Sequence, residues 1–140
     1  MGEDDSTAKT VLVAEGLSDS RMFMRMALER HGYRVVEAET GEGAVEAALR
    51  ERPDLILLDL HLPGLDGLEA ARRLRAHEGL RDTPIVATST SDDPVLEAAA
   101  LEAGCDRFRR QPVDFDKFGD VADLMLRPPG RKANAGGKEP

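Results

Sequence analysis

The chain has 140 residues, of which 41% are hydrophobic and 33% charged, and its formal net charge of −8 fits one densely charged globular domain. No apolar run approaches the roughly 18 residues of a membrane helix, the acidic start differs from a secretory leader, and the excess of acids argues against nucleic acid as the main ligand. We therefore expect a cytoplasmic protein that binds neither DNA nor membranes.

Apolar runs rich in β-branched residues alternate along the chain with segments of helical periodicity. The expected strands are 10–14, 33–38, 54–60, 84–89 and, more weakly, 106–110. The expected helix starts are at Ser18 and, for the fourth helix, at Ser91 or Asp92 followed by Pro94. The residues expected to end helices are Gly32, Pro53, Gly79 and Pro128. In the first helix we expect Met22, Met26 and Leu28 to share one face and fill the core.

This alternation predicts βαβ units around a parallel sheet, so the expected fold class is a doubly wound α/β domain. The domain is expected to span residues 10–127. Residues 1–9 are expected to form a flexible N-terminus. Residues 128–140 lack periodicity and are rich in Gly, Pro and Lys/Arg, which predicts a disordered tail.

Polar residues follow the expected strands, and the most unusual is Asp59, which ends the apolar run LILLD. An unpaired carboxylate at a buried strand tip is costly without a role. Glu15 follows the first strand, Ser89 and Thr90 end the fourth, and Gln111 follows the fifth. Because ligands of open parallel sheets bind beyond the carboxyl ends of the strands, these residues predict one functional edge.

The single cysteine, Cys105, excludes an internal disulfide and a thiolate metal cluster, and we expect it to pack in the core. The side chain of His61 is expected to be solvated in a loop rather than to bind metal. His31 and His77 lie near expected helix ends, where a surface position suits them. None of these four side chains is expected to carry out chemistry.

The residues at the expected functional edge, in this order, resemble the receiver domain of bacterial response regulators. In the segment LILLDLHLPGLDGLEA, Asp59 matches the phospho-accepting aspartate. In TPIVATST, Ser89 matches the switch hydroxyl, and in AGCDRFRRQP, Phe108 matches the aromatic switch position. The resemblance spans roughly residues 10–126 and implies a flavodoxin-like (βα)5 sheet with strand order 2-1-3-4-5.

The resemblance also implies the parts that move a phosphoryl group onto an aspartate. A divalent cation is held by two acids after the first strand, by the acceptor and by a backbone carbonyl two residues beyond it. Here those positions are Glu15, Gly16, Asp59 and the carbonyl of His61. The lysine expected after the fifth strand is Gln111, so one acid and one cation of the family's pattern are replaced.

Both replacements predict a weak site. Mg²⁺ prefers octahedral oxygen ligands and a lost carboxylate is hard to replace, so we expect Mg²⁺ binding to be possible but weak. An amide in place of an ammonium removes a charge-assisted hydrogen bond worth roughly 1.5–3 kcal/mol. The alternative is that Asp19, Asp66 or a water fills the gap left by Gly16.

The expected fifth strand carries Arg107, Arg109 and Arg110, where a receiver usually has aliphatic residues. One interpretation is structural: the arginine stems pack on apolar surface and the guanidinium groups pair with Asp114 and Asp116. The other is a partner site or a site for an anionic small molecule, since some receiver-like proteins bind a cyclic dinucleotide through arginine-rich segments.

Three functions follow from these observations. The leading hypothesis is a stand-alone, atypical receiver in bacterial signal transduction that docks to a sensor kinase or signalling target and is weakly phosphorylated at Asp59, or not at all. The second is a conventional phospho-switched regulator, and the third is an arginine-based module for an anionic ligand. Because little chain follows the fifth helix, no DNA-binding domain is expected. An enzyme is not expected, since the sequence has no nucleophile–base pair and no Gly-rich phosphate loop.

Overall fold

The computed structural model describes residues 8–110 and 114–126. The strands are β1 Thr10–Ala14, β2 Arg34–Ala38, β3 Leu55–Asp59, β4 Ile85–Ser89 and β5 Arg107–Arg110. The helices are α1 Ser18–Arg30, α2 Gly41–Glu51, α3 Gly67–Ala76, α4 Pro94–Glu102 and α5 Lys117–Leu126, with a 3₁₀ turn at Glu78–Leu80. Gln111, the first seven residues and the expected C-terminal tail lie outside the described residues.

The strands form one parallel sheet in the order β2-β1-β3-β4-β5, which confirms the expected fold class and strand order. The inner strands β1, β3 and β4 are buried along their whole length, as expected for parallel strands covered on both faces. The edge strand β5 is exposed or half-buried at every position. All strands run the same way, so their carboxyl ends meet at one edge of the sheet.

Two hydrophobic clusters cover the two faces of the sheet. Leu12 and Leu58 belong to the cluster beneath α2 and α3, whereas Val13 and Leu57 belong to the cluster beneath α1 and α5. This division follows from the alternation of side chains along each strand. No helix in the described part of the chain is long and apolar enough to cross a membrane.

The buried stripe of α1 differs from the expectation. Met22 and Met26 are exposed to 38% and 42%, whereas Met24 is buried at 1%, so the prediction that Met22 and Met26 fill the core is wrong. Leu28 is buried as expected, beside Ala27. Residues 24, 27 and 28 are spaced i, i+3, i+4, and this stripe faces the sheet in place of the one through 22 and 26.

Side-chain caps fix the starts of three helices. Thr40 accepts from the amide of Gly43 at 2.9 Å and Asp66 from the amide of Glu69 at 3.0 Å, at the starts of α2 and α3. The cap of α4 is Asp93, whose carboxylate is 2.9 Å from the amide of Val95, and not Ser91 or Asp92 as expected. Pro94 then occupies the first turn, as predicted.

Arg75 of α3 closes the edge of the sheet formed by the amino ends of β4 and β5. Its guanidinium donates to three backbone carbonyls and to one carboxylate, at 2.6–2.8 Å: Gly104, Leu80, Thr83 and Asp106. The same Asp106 oxygen accepts from the amide of Ile85 at 2.8 Å. One side chain therefore ties α3, the turn after it and the beginnings of two strands together.

Candidate functional site

A cavity of about 400 Å³ opens at the carboxyl edge of the sheet and is called the acid pocket below. Its lining residues are Glu15, Gly16, Leu17, Asp59, His61, Pro63 and Thr90. Glu15, Asp59, His61 and Thr90, which come from three separate places in the sequence, were all predicted to lie at this edge. The position of Gln111 falls outside the described residues.

The two carboxylates of the acid pocket are buried, with Glu15 exposed to 2% and Asp59 to 9%. The Glu15 carboxylate accepts from the amide of Leu17 at 3.2 Å, which holds the loop after β1 close to the pocket. Arg21 of α1 donates to the backbone carbonyl of Glu15 at 2.8 Å and to the Glu37 carboxylate at 3.0 Å. A helix side chain thus fixes the backbone of the first acid, which no sequence motif indicated.

Asp59 is positioned by the loop that follows it. Its Oδ1 accepts from the amide of His61 at 2.9 Å, and this hydrogen bond holds a tight turn at the end of the strand. Gly67 begins α3 directly beneath this turn, and a Cβ there would lie 2.4 Å from Leu60 Cα and 2.7 Å from the carbonyl oxygen of Asp59. Only glycine lets α3 start this close to the acceptor strand.

A second acid supports the same loop from α2. Oε1 of Glu42 accepts from the amide of Leu65 at 3.2 Å, beside Gly64, whose φ of 79° is in the left-handed region. The backbone hydrogen bonds from its own amide and from Leu65 lower the pKa of the Glu42 carboxyl. The loop after β3 is therefore anchored by an ionised acid outside the pocket.

His61 is exposed, as expected of a loop residue, and its ring also contacts Ser89. The Nε2 atom of His61 is 2.6 Å from Oγ of Ser89, and the same Oγ accepts from the amide of Ser91 at 3.0 Å. Ser89 is fully buried. The hydroxyl at the end of β4 is thus held from two sides, by the loop after β3 and by the chain that leads to α4.

The gap at Gly16 is not filled by a neighbouring acid. Asp19 and Asp66 are exposed and line no part of the acid pocket, and the Asp66 carboxylate caps α3. A Cβ on Gly16 would lie 3.0 Å from Cδ of Pro63, and the backbone of Gly16 is not in the left-handed region. A side chain fits there after a small shift of the proline ring. Because neither Asp19 nor Asp66 lines the acid pocket, the pocket lining does not support the alternative that one of them fills the gap.

The arginines of β5 do not pair as expected. Asp116 pairs with Arg30, and no ion pair joins Asp114 to any β5 arginine in the ranges 8–110 and 114–126. Arg110 donates to the backbone carbonyl of Ser91 at 3.1 Å and lies 3.6 Å from the Asp92 carboxylate. Arg107 and Arg109 are exposed, whereas Phe108 is half-buried and packs on the α2–α3 side of the sheet.

Cys105 is buried, as predicted. Burial raises the pKa of its thiol to about 11, which leaves little thiolate at neutral pH. His31 contributes its ring Nδ1 to a 2.8 Å contact with Asp123, which also accepts from the Tyr33 hydroxyl at 2.6 Å. These contacts join α1 and β2 to α5, on the side of the domain away from the acid pocket.

The parallel sheet in this order, with buried carboxylates at its carboxyl edge, agrees with the arrangement that the resemblance to receiver domains implies. Residues 11–122 match the family model described as the response regulator receiver domain, and the chain belongs to this family. It is therefore a receiver domain of two-component signalling.

Known proteins similar to this chain are regulators and receivers. The KDP operon transcriptional regulatory protein KdpE of Escherichia coli is 44% identical over 118 residues, which are 84% of this chain and 51% of that protein. The transcriptional regulatory protein AfsQ1 of Streptomyces coelicolor is 35% identical over 118 residues, 84% of this chain and 49% of that protein. The chain spans about half the length of these relatives.

Solved structures agree with the fold and, in one case, include a metal. The receiver domain of the sensor histidine kinase PA1611 from Pseudomonas aeruginosa has a magnesium ion coordinated in its active site cleft. It is 30% identical with a TM-score of 0.77, covering 84% of this chain and 97% of that one. The chemotaxis response regulator CheY4 of Vibrio cholerae is similar in fold, with a TM-score of 0.80 at 23% identity over 85% of this chain and 99% of that one.

Proposed function

We propose that this chain is an atypical receiver that signals by docking to protein partners and accepts a phosphoryl group at Asp59 weakly or not at all. One observation carries the proposal. The acid pocket is lined by the carboxylates of Glu15 and Asp59 and by Gly16, which stands where the family resemblance expects a further acid.

The pocket retains part of a divalent cation site. The carboxylates of Glu15 and Asp59 and the backbone carbonyl of His61 are hard oxygen donors of the kind that Mg²⁺ takes. A cation held there would neutralise charge on the phosphoryl oxygens. Without a carboxylate at position 16, the affinity for Mg²⁺ is expected to be low, and Gln111 removes the second positive charge that the family pattern supplies.

The proposed partners are proteins. Membership of the receiver family supports a sensor kinase as the source of the phosphoryl group and a signalling protein as the target. With a weak phosphorylation site, the partner is expected to recognise the folded surface of the unmodified domain. The proposal therefore predicts partner binding that does not require a phosphodonor.

A phosphorylation assay tests the proposal. With acetyl phosphate and Mg²⁺, a carboxylate oxygen of Asp59 attacks phosphorus, the bond to the acetate oxygen breaks, and an aspartyl phosphate and acetate result. Intact mass spectrometry counts the phosphoryl groups. We expect little gain for the unaltered protein, a clear gain for Gly16→Asp, and no improvement for Gly16→Ala, which adds the same Cβ without a carboxylate.

The second candidate is the conventional phospho-switched regulator. The burial of Asp59 at 9% exposure and the position of the Ser89 hydroxyl at the end of β4 favour it. Rapid and complete addition of one phosphoryl group to the unaltered protein, abolished in Asp59→Asn, would establish this candidate and overturn the proposal of an atypical receiver.

A further inference from the structure

A second cavity, of about 420 Å³, lies between β5 and the start of α5 and is called the arginine cavity below. Its lining residues are Arg109, Arg110, Asp114, Lys117, Phe118 and Val121. It shares no described residue with the acid pocket. Its volume is within the range of about 300–1,000 Å³ that is typical of small-molecule sites.

The arginine cavity is electropositive although the protein is acidic. Its described lining includes the cationic side chains of Arg109 and Lys117 and one acid, Asp114, against a formal net charge of −8 for the chain. Arg110 also lines it, but its guanidinium is held by the Ser91 carbonyl near Asp92. No acid in the described ranges lies within ion-pair distance of Arg109 or Lys117, whereas arginines such as Arg21 and Arg75 pair with carboxylates. Arg109 and Lys117 are therefore available to an anion.

The position of Arg109 in the sheet explains the cavity. Thr88 of β4 lies opposite Arg109 in register, and Asp59 lies opposite Thr88 on the next strand. Register partners in parallel strands project to the same face, which here is the face covered by α5. An aliphatic residue at position 109 would pack against Phe118 and Val121, but a guanidinium group leaves space beneath the helix because its burial without a counter-charge is costly.

The neighbour of Arg109 in this row is a polar group without a partner. Thr88 is buried at 1% exposure, and its hydroxyl has no hydrogen-bond partner among the residues that the structure describes. Buried hydroxyl groups are normally bonded. The guanidinium of Arg109 and the hydroxyl of Thr88, neither of which has a partner among the described residues, therefore lie side by side on the α5-covered face. They are next to the buried side chains of Phe118 and Val121.

We propose that the arginine cavity binds a small molecule that carries a phosphate group. The guanidinium of Arg109 and the ammonium of Lys117 suit the several oxygens of a phosphate, and these two cations outnumber the single acid of the described lining, Asp114. The remainder of the ligand lies over Phe118 and Val121. This binding is independent of phosphorylation at Asp59 and goes beyond the proposed receiver function.

Inorganic pyrophosphate is the probe for a test on the full chain by NMR titration at constant ionic strength. We expect saturable shifts of backbone amides in 107–110 and 117–121. Arg109→Gln and Lys117→Gln should each weaken binding at least about tenfold, the loss of one charge-assisted contact. Arg107→Gln is the matched control, since Arg107 lies on the same strand but does not line the cavity.

Several results would overturn the proposal. Chemical-shift changes that do not saturate, or that chloride at equal ionic strength reproduces, would show that pyrophosphate is attracted by general charge and not bound at a specific site. A loss of affinity in Arg107→Gln equal to that in Arg109→Gln would show the same. Binding of a phosphoserine peptide without binding of pyrophosphate would assign the surface to a protein partner. Thermal melting of each variant excludes unfolding, and Arg109→Lys, which keeps the charge, should retain part of the affinity. The titration contains neither Mg²⁺ nor a phosphodonor, so its outcome is separate from that of the phosphorylation assay.

Discussion

The imidazole Nε2 of His61 and the hydroxyl oxygen of Ser89 lie 2.6 Å apart, and this contact joins the loop after β3 to the end of β4. Ser89 also accepts from the amide of Ser91, so two elements of the chain fix the orientation of one hydroxyl. A buried hydroxyl with defined partners cannot turn toward a new acceptor without breaking a hydrogen bond. The His61 ring therefore competes with any other group that would engage Ser89.

We expect His61→Ala to reduce the free energy of unfolding by about 1 kcal/mol, the net worth of one hydrogen bond with a partly buried partner. Urea unfolding at neutral pH measures this change. His77→Ala is the matched control, because His77 is exposed and no described contact involves its ring. Equal stability of the two variants would show that the His61–Ser89 contact does not stabilise the fold.

Gly16→Asp is expected to tighten Mg²⁺ binding by about tenfold or more, because it adds a hard oxygen ligand beside Glu15 and Asp59. Isothermal titration calorimetry of the variant and the unaltered protein gives the two dissociation constants. Gly16→Ala controls for the close approach of a Cβ to Pro63 at 3.0 Å. If the unaltered protein already binds Mg²⁺ as tightly as Gly16→Asp, the missing acid does not limit the site.

Gly67→Ala should lower stability by about 1–3 kcal/mol, despite the better helix propensity of alanine, because its Cβ meets backbone atoms that cannot move aside. Gly43→Ala in α2 is the comparison: its Cβ would approach the Thr40 side chain at 3.0 Å and no backbone atom. Chemical denaturation of both variants decides the point. A loss in Gly67→Ala no larger than that in Gly43→Ala would contradict the close approach of α3 to Leu60 and Asp59.

Burial raises the pKa of the Cys105 thiol from its ordinary 9.0 to about 11. Above pH 9 the unfolded chain releases this proton while the folded protein keeps it, so stability falls as the pH rises from about 9 to about 11. Unfolding in urea at pH 8 and pH 10 should show a smaller loss for Cys105→Ala than for the unaltered protein. Identical pH dependence would mean that the thiol ionises equally in both states.

Strand positions and the gathering of Glu15, Asp59 and Thr90 at one edge were predictable, because buried parallel strands have distinctive apolar runs and end at a common edge. The strand order came from the resemblance to receiver domains, since apolar runs do not fix which strands are neighbours. The buried face of α1 was mispredicted because methionines at 22, 24 and 26 are compatible with two helix faces, one through 22 and 26 and the other through 24 and 28. Packing beside Ala27 selects the second face. The His61–Ser89 contact had no local signal, since 28 residues separate its members. The cap of α4 was ambiguous because Ser91, Asp92 and Asp93 can all cap a helix.

The guanidinium of Arg75 makes the two ends of the sheet unequal in rigidity. At the amino ends of β4 and β5 it ties three backbone carbonyls and the Asp106 carboxylate to α3. At the opposite edge, the loop after β3 is joined to the end of β4 by the side-chain contact between His61 and Ser89. Loop rearrangements at the acid pocket can therefore occur while the far end of the sheet keeps its register. In native-state hydrogen exchange, the amides of Ile85 and Asp106 should open only with global unfolding, and those of His61 and Ser91 through smaller local fluctuations.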